Sequence, residues 1–312
     1  MEPCPQMEMG NLPLDLPERD ARDAQYRVSS SVTQAEFEAT VARYSDLSQK
    51  ARDTLPCHCG LIYDTASGSR LDLFPAGEGA PLLVFIHGGY WRMLSKADSA
   101  FMAPSFVKHG ISVATLDYQL APQVTLPEIV RQVRAAITWL MNQGRAYGVD
   151  PTAIWVTGSS AGGHLAAMCA ATDWPLARHL RGIMPVSGLF DLRPIARSFI
   201  NDWLRLDDTS AVAMSPSLSP LPSCPVYLAW GEREPDVFKG QSLHYHARLA
   251  AAAIPGAAFE VPERHHFDVI LDLADSASSL TRTFLSIILG ETPPPNIKAG
   301  HFIERNTTNH VD

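Results

Sequence analysis

From Pro81 onward the chain alternates short, almost wholly apolar runs with longer stretches in which apolar residues recur at helical spacing. "PLLVFIHGG", "ISVATLDY", "AIWVTG", "GIMPVSG", "PVYLAWGE" and "AAFEVPE" are the runs. Unbroken apolarity over so few residues predicts strands buried on both faces. Between them, Leu126, Ile129, Val130, Val133, Ile137 and Leu140 trace the stripe of an amphipathic helix. Further helices are expected over 161–171, over about 238–252 and, as one closing helix, in "FDVILDLADSASSLTRTFLSIIL". This rhythm predicts an α/β protein, with a mostly parallel sheet and helices on both faces. Such sheets take their ligands at the carboxyl ends of the strands.

Upstream of Pro81 the pattern differs. Residues 20–55 place apolar positions at helical spacing behind a Ser/Thr-rich start, which predicts a helical arm. "CGLIYD" and "SRLDLFP" flank the turn "TASGS" and read as an antiparallel hairpin at the sheet edge. Residues 189–224 are too long for a simple connection; a helix-like middle, "ARSFINDWLRL", leads to a Pro/Ser-rich exit. Because this insertion follows a strand end, it is expected to sit over the site as a small cap. With no repeat and no second core, one domain is expected over 20–290, after an N-terminal extension (1–19) and before a flexible tail (291–312).

Composition narrows the function classes. A chain of 312 residues, 46% hydrophobic and 19% charged, can bury a substantial core. A net charge of -8 without a Lys/Arg cluster excludes a nucleic-acid footprint. The acidic, Pro-punctuated start lacks the features of a secretory signal, and no run is long enough to span a bilayer, so a cytoplasmic protein with no membrane partner is expected. Five irregularly spaced cysteines do not make a disulfide framework. "CHC" at 57–59 has no second ligand pair, so neither metal nor cofactor is expected.

Candidate chemistry lies where strands end. "HGGYW" follows "LLVFI", so Gly88 and Gly89 offer backbone N–H groups that no Cβ screens, as an oxyanion hole requires. "GSSAG" fits G-x-S-x-G, with Ser160 at the apex of a strand-to-helix turn and the Ala161 N–H at the start of the next helix. Downstream, "GEREPD" places Glu232, Glu234 and Asp236 after one strand, and "ERHHFD" places His265 and His266 after the last. Taken singly, these are ordinary Gly/Ser turns, solvated acids and surface histidines. Together, at strand ends and in the order Ser, acid, His, they form the set that nucleophilic catalysis needs. Tyr90 and Trp91, beside the glycines, offer an aromatic wall for an aryl group. His87 is expected to brace its loop, and His164 to face away on the helix after Ser160.

These motifs, with "DYQLAP", "GLFDL", "SPSLSP", "FKGQS" and "YRVSSSV", resemble the kynurenine formamidase (arylformamidase) type of α/β-hydrolase, within the wider hormone-sensitive-lipase-like esterases. The resemblance runs over roughly residues 20–290. It implies the α/β-hydrolase fold and a serine hydrolase with Ser160 as nucleophile, His266 as base and Glu234 as acid, Asp236 being the alternative acid. Gly88, Gly89 and Ala161 would bind the oxyanion. The implied partner is a small-molecule amide or ester, foremost the N-formyl amide of an aryl amine such as N-formylkynurenine; a homodimer is left open. A carboxylesterase or amidase on another small ester or amide is the alternative. A non-catalytic binding protein on the same fold is disfavoured, because every candidate catalytic residue is retained.

Overall fold

The computed structural model of the chain describes residues 13–291 and the backbone of 299–303. β1 (His58–Asp64) and β2 (Ser69–Phe74) form the expected antiparallel hairpin. β2 pairs antiparallel with β4 (Ser112–Leu116). From β4 the sheet continues in parallel through β3 (Ala80–Ile86), β5 (Val149–Ser159), β6 (Gly182–Val186), β7 (Val226–Gly231) and β8 (Gly256–Val261). The segment 299–303, expected within a flexible tail, is a strand instead: β9 (Ala299–Ile303) pairs antiparallel with β8. The rest of that tail, 292–298 and 304–312, and residues 1–12 lie outside the described residues.

Alternation along the central strands divides the core in two. In β3, Leu82, Val84 and Ile86 enter one cluster while Leu83 and Phe85 enter the other. Each such burial contributes roughly 1.5–3 kcal/mol, so these strands are committed to the middle of the sheet. One face is covered by α1 (Arg19–Tyr26), α4 (Leu126–Gln143), α5 (Ala161–Ala170) and α8 (Asp236–Ala251). The opposite face is covered by α2 (Gln34–Thr54), α3 (Ala103–Val107) and α9 (Ser279–Leu289). The Ser/Thr-rich start of the arm does cap a helix: Thr33 accepts from the Glu36 N–H, and the Glu36 carboxylate accepts from the Thr33 N–H.

The insertion carries α6 (Asn201–Leu204) and α7 (Asp208–Ala213). Leu189, Phe190, Ile195, Ile200 and Leu204 tie it into the core on the α4–α5 side. The single closing helix expected from the sequence is two pieces. A 3-10 stretch, Val269–Ala274, ends before Ser278, whose side chain caps α9 by accepting from the Thr281 N–H. The Ser278 and Thr281 hydroxyls both donate to the Asp272 carbonyl, which fixes the break.

The sheet order, β1-β2-β4-β3-β5-β6-β7-β8-β9, positions the site. After β3 the chain moves outward to β4, and after β5 it moves the opposite way to β6. The carboxyl ends of β3 and β5 therefore flank a topological switch point, where connections diverge and leave a crevice. Ile86 pairs with Gly158 across it, so "HGGYW" and "GSSAG" leave the sheet side by side.

Candidate active site

Ser160 stands between β5 and α5 with φ 56 and ψ -116, outside the ordinary regions for an L-residue. Holding a serine there costs about 1–3 kcal/mol, which the packing around it must supply. The surroundings admit little else. A Cβ on Gly162 would lie 2.0 Å from the Ile86 carbonyl oxygen, and one on Gly88 would lie 2.8 Å from the Ser159 oxygen and 3.3 Å from the Ser160 Cβ. The Ser160 N–H donates to the Val186 carbonyl at 2.9 Å, which fastens the turn to β6.

Of the three carboxylates in "GEREPD", Glu234 alone is buried; Glu232 and Asp236 are exposed. Its Oε1 accepts from the Ser187 hydroxyl at 2.5 Å and from the Gly231 N–H at 2.7 Å. Its Oε2 lies 3.0 Å from His266 Nδ1. With the carboxylate ionised, Nδ1 carries the proton and donates to it, so Nε2 is the nitrogen left for chemistry. Phe238 packs against the His266 ring at a centroid distance of 4.5 Å. His265 turns elsewhere: its Nδ1 accepts from the N–H groups of Phe267 and Asp268, and it faces the Asp268 carboxylate.

Gly88 and Gly89 line the same cavity as Ser160 and His266. Ala161 is the first residue of α5, where helix geometry leaves its N–H without an intrahelical acceptor. Tyr90 also lines the cavity, and its hydroxyl donates to the Tyr26 carbonyl at 2.5 Å. Trp91 requires a correction. It is fully buried, meets His164 edge-on at 5.1 Å and donates from Nε1 to His164 Nδ1 at 3.3 Å, so it packs the loop onto the core and forms no part of the cavity wall. His87 does line the cavity, its ring stacked on Tyr118 at 4.1 Å.

The cavity has a volume of about 770 Å³, and beside Tyr90 its aromatic wall includes residues that the sequence does not single out. Phe37 belongs to the arm, Phe199 and Trp203 to the insertion, and Phe267 to the histidine loop. The arm grips that loop: the Tyr44 hydroxyl donates to the Phe267 carbonyl, and the rings of Phe37 and Phe267 meet at 4.9 Å. A second depression, of about 700 Å³ along α4, lies away from these groups, and its Arg134 is paired with Asp173 at 2.9 Å.

Cys57 and Cys59 have a neighbour the sequence did not reveal: with Asp72 their ligand atoms lie within 4.8 Å of one another. Asp72, however, is held by Arg52 at 3.1 Å, by Lys96 at 2.9 Å and by the Gly60 N–H at 2.8 Å. Burial alone would raise its pKa, but these partners outweigh burial and keep it below the ordinary value. A metal ion there would have to displace or sit beside two cations, so the donor set does not fit one. Among the described residues no helix is long and apolar enough to cross a membrane.

A mostly parallel sheet with a serine-bearing elbow at its switch point defines an α/β-hydrolase, and this chain is one. The family model BD-FAE matches residues 72–180. Kynurenine formamidase of Danio rerio is 31% identical over 262 residues, spanning 80% of this chain and 88% of that protein. The Salmo salar kynurenine formamidase is 30% identical over 253 residues, spanning 77% and 85%. A solved protein from Silicibacter sp. TM1040, described as a thioesterase candidate, superposes with a TM-score of 0.75 at 28% identity, covering 86% of this chain and 98% of that one. The chain belongs to the kynurenine formamidase family.

Proposed function

We propose that this hydrolase cleaves the N-formyl amide of an aryl amine such as N-formylkynurenine, through a formyl-enzyme formed on Ser160. The observation that carries the reading is the buried Glu234–His266 pair at 3.0 Å, with His266 and Ser160 lining one cavity. His266 Nε2 takes the Ser160 proton as Oγ attacks the formyl carbon. The amides of Gly88, Gly89 and Ala161 hold the oxyanion, and Glu234 stabilises the imidazolium. His266 then protonates the departing aryl amine, and water activated by the same imidazole releases formate from Ser160. The aromatic wall of Phe37, Phe199, Trp203 and Phe267 suits the aryl group.

One observation favours a second reading. A cavity of about 770 Å³ holds far more than a formyl group, which leaves room for the acyl portion of a small ester or amide. Formyl, acetyl and butyryl derivatives of one aryl amine separate the two. If formyl transfer is the reaction, kcat/KM falls roughly ten- to a hundredfold from formyl to acetyl, the discrimination a fitted pocket achieves per added methyl group. Equal or better turnover of the longer acyl groups replaces the formamidase reading with that of an esterase or general amidase. Ser160→Ala is expected to abolish turnover in either case; a well-folded variant that kept most of its activity would remove Ser160 as nucleophile.

A further inference from the structure

His266 stands in a turn that His265 closes. The His265 N–H donates to Asp268 Oδ1 at 2.7 Å, and His265 Nδ1 accepts in return from the N–H groups of Asp268 at 3.3 Å and Phe267 at 3.1 Å. The Val269 N–H donates to the His265 carbonyl at 3.2 Å, a helical bond that follows directly. Residues 265 and 268 are therefore the two ends of a capping box, the same exchange that Thr33 and Glu36 make at the start of α2. The capping atom differs. Serine, threonine or asparagine offers an oxygen acceptor at any pH, whereas a ring nitrogen accepts only while it is unprotonated. Enclosed in this box are His266, 3.0 Å from Glu234, and Phe267, part of the cavity wall.

His265 is 6% exposed, and its Nε2 lies 3.4 Å from Asp268 Oδ2. With Nδ1 accepting, Nε2 carries the proton of the neutral ring and faces that carboxylate. The charged and titratable groups around the ring come from three places: Asp268 and His266 in its own loop, Arg233 after β7, and Glu36 on α2. Burial acts most strongly and lowers the ring's pKa; Asp268 and Glu36 oppose that, and Arg233 and His266 add to it. The cap is thus complete above the ordinary histidine pKa of about 6.5 and is lost as the pH falls through the lowered value. A proton on Nδ1 sets an N–H against two others, so both side-chain bonds of the cap go at once. We infer that His265 positions His266 and Phe267 through this cap, and that acidification releases them. The inference rests on His266 as the base of the proposed reaction, not on which bond is cleaved.

An aryl ester is assayed beside the aryl formamide, since hydrolysis of either needs the base. At pH 8, His265→Ala is expected to lower kcat/KM about tenfold, within the hundredfold that a 1 Å misplacement can cost. His265→Asn restores an acceptor that does not titrate and should recover most of that loss. As the pH falls from 7.5 to 5, every variant slows as His266 takes up its proton, but the wild type also loses its cap. Its kcat/KM should drop several-fold below that of H265N and approach that of H265A. Two-bond 1H–15N spectra of the histidine-labelled wild-type chain at pH 8 should show His265 protonated on Nε2 alone, its signal assigned by its absence from H265N or H265A. Full activity in H265A at pH 8, a ratio of H265N to wild type that stays flat with pH, or a ring protonated on Nδ1 overturns the proposal. Retention of most activity in a folded His266→Ala variant would instead remove the base, and with it the positioning role; that failure is distinct, because the His265 tautomer would stand.

Discussion

Glu232, Glu234 and Asp236 alternate along one short turn, and their surroundings give them different tasks. Glu234 turns inward because the turn after β6 presents Ser187 and β7 presents the Gly231 N–H to the same oxygen. Asp236 opens α8, where a negative charge suits the helix N-terminus without touching the cavity. Removing the charge with Glu234→Gln should therefore lower kcat by roughly 10²–10⁴, while Asp236→Asn should change it only a few-fold. The reverse ranking, at matched thermal stability, would move the acid to Asp236. The residue types alone do not choose among the three because all follow the same strand; the family resemblance favours Glu234 over Asp236, and the tertiary neighbours set Glu234 apart. His164 shows the converse, a histidine one turn from Ser160 with a structural task. Its Nε2 donates to the Met214 carbonyl at 2.8 Å, and burial lowers its pKa to about 4. The unfolded chain binds that proton near pH 6.5 and the folded chain does not. The stability this neutral ring contributes is therefore complete above about pH 6.5 and is lost, at up to about 1.4 kcal/mol per pH unit, as the pH falls toward 4. Urea titrations of wild type and His164→Gln should show a stability gap that narrows from pH 7 to pH 5; His87, which burial also shifts downward, is common to both and cancels. A gap that stays constant would mean that His164 is not held neutral.

At the scale of elements, the helical arm that contains α2 is legible from its Ser/Thr-rich start and its spacing, but what it roofs is not. Its contacts lie far away in the chain: Tyr44 reaches Phe267, and Arg52 reaches Asp72 in β2. Lys96, in the loop after β3, completes that group, so one buried carboxylate pins arm, edge hairpin and loop together. Asp72→Asn keeps the size and an acceptor for the Gly60 N–H but leaves two cations facing a neutral group. The cost should be about 2–3 kcal/mol, below the full value for a buried pair because Arg52 and Lys96 are partly solvated. A shift in urea midpoint of that size supports the anchor, whereas an unchanged midpoint would mean that the three charges contribute little. The closing helix was misjudged for a related reason. Apolar spacing runs on through 267–289, and the break comes from Ser278 and Thr281 bonding to the Asp272 carbonyl, a local competition that hydrophobic pattern cannot register.

For the molecule as a whole, the sheet was readable because each buried strand announces itself in a few consecutive residues. The cavity was not, because its wall is gathered from segments over two hundred positions apart, including Phe37, Phe199, Trp203 and Phe267. Trp91 departs from expectation on the same account: adjacency to Gly88 and Gly89 in sequence suggests the wall, while the backbone at φ 58 turns that ring into the core. A cavity assembled from arm, insertion and sheet exists only when all three are docked, so a ligand that fills it should stabilise them as one unit. In Ser160→Ala, an aryl formamide at a hundred times its Kd should add about 2.7 kcal/mol to the stability of the folded state. For a domain of this size that corresponds to a rise in Tm of about 5 °C. Far-ultraviolet circular dichroism, which follows all the helices, and fluorescence from Trp203 and its neighbours should report the same shifted transition. If an earlier transition, insensitive to ligand, appeared in one signal alone, the arm or insertion would be melting separately, and the cavity would be complete without it.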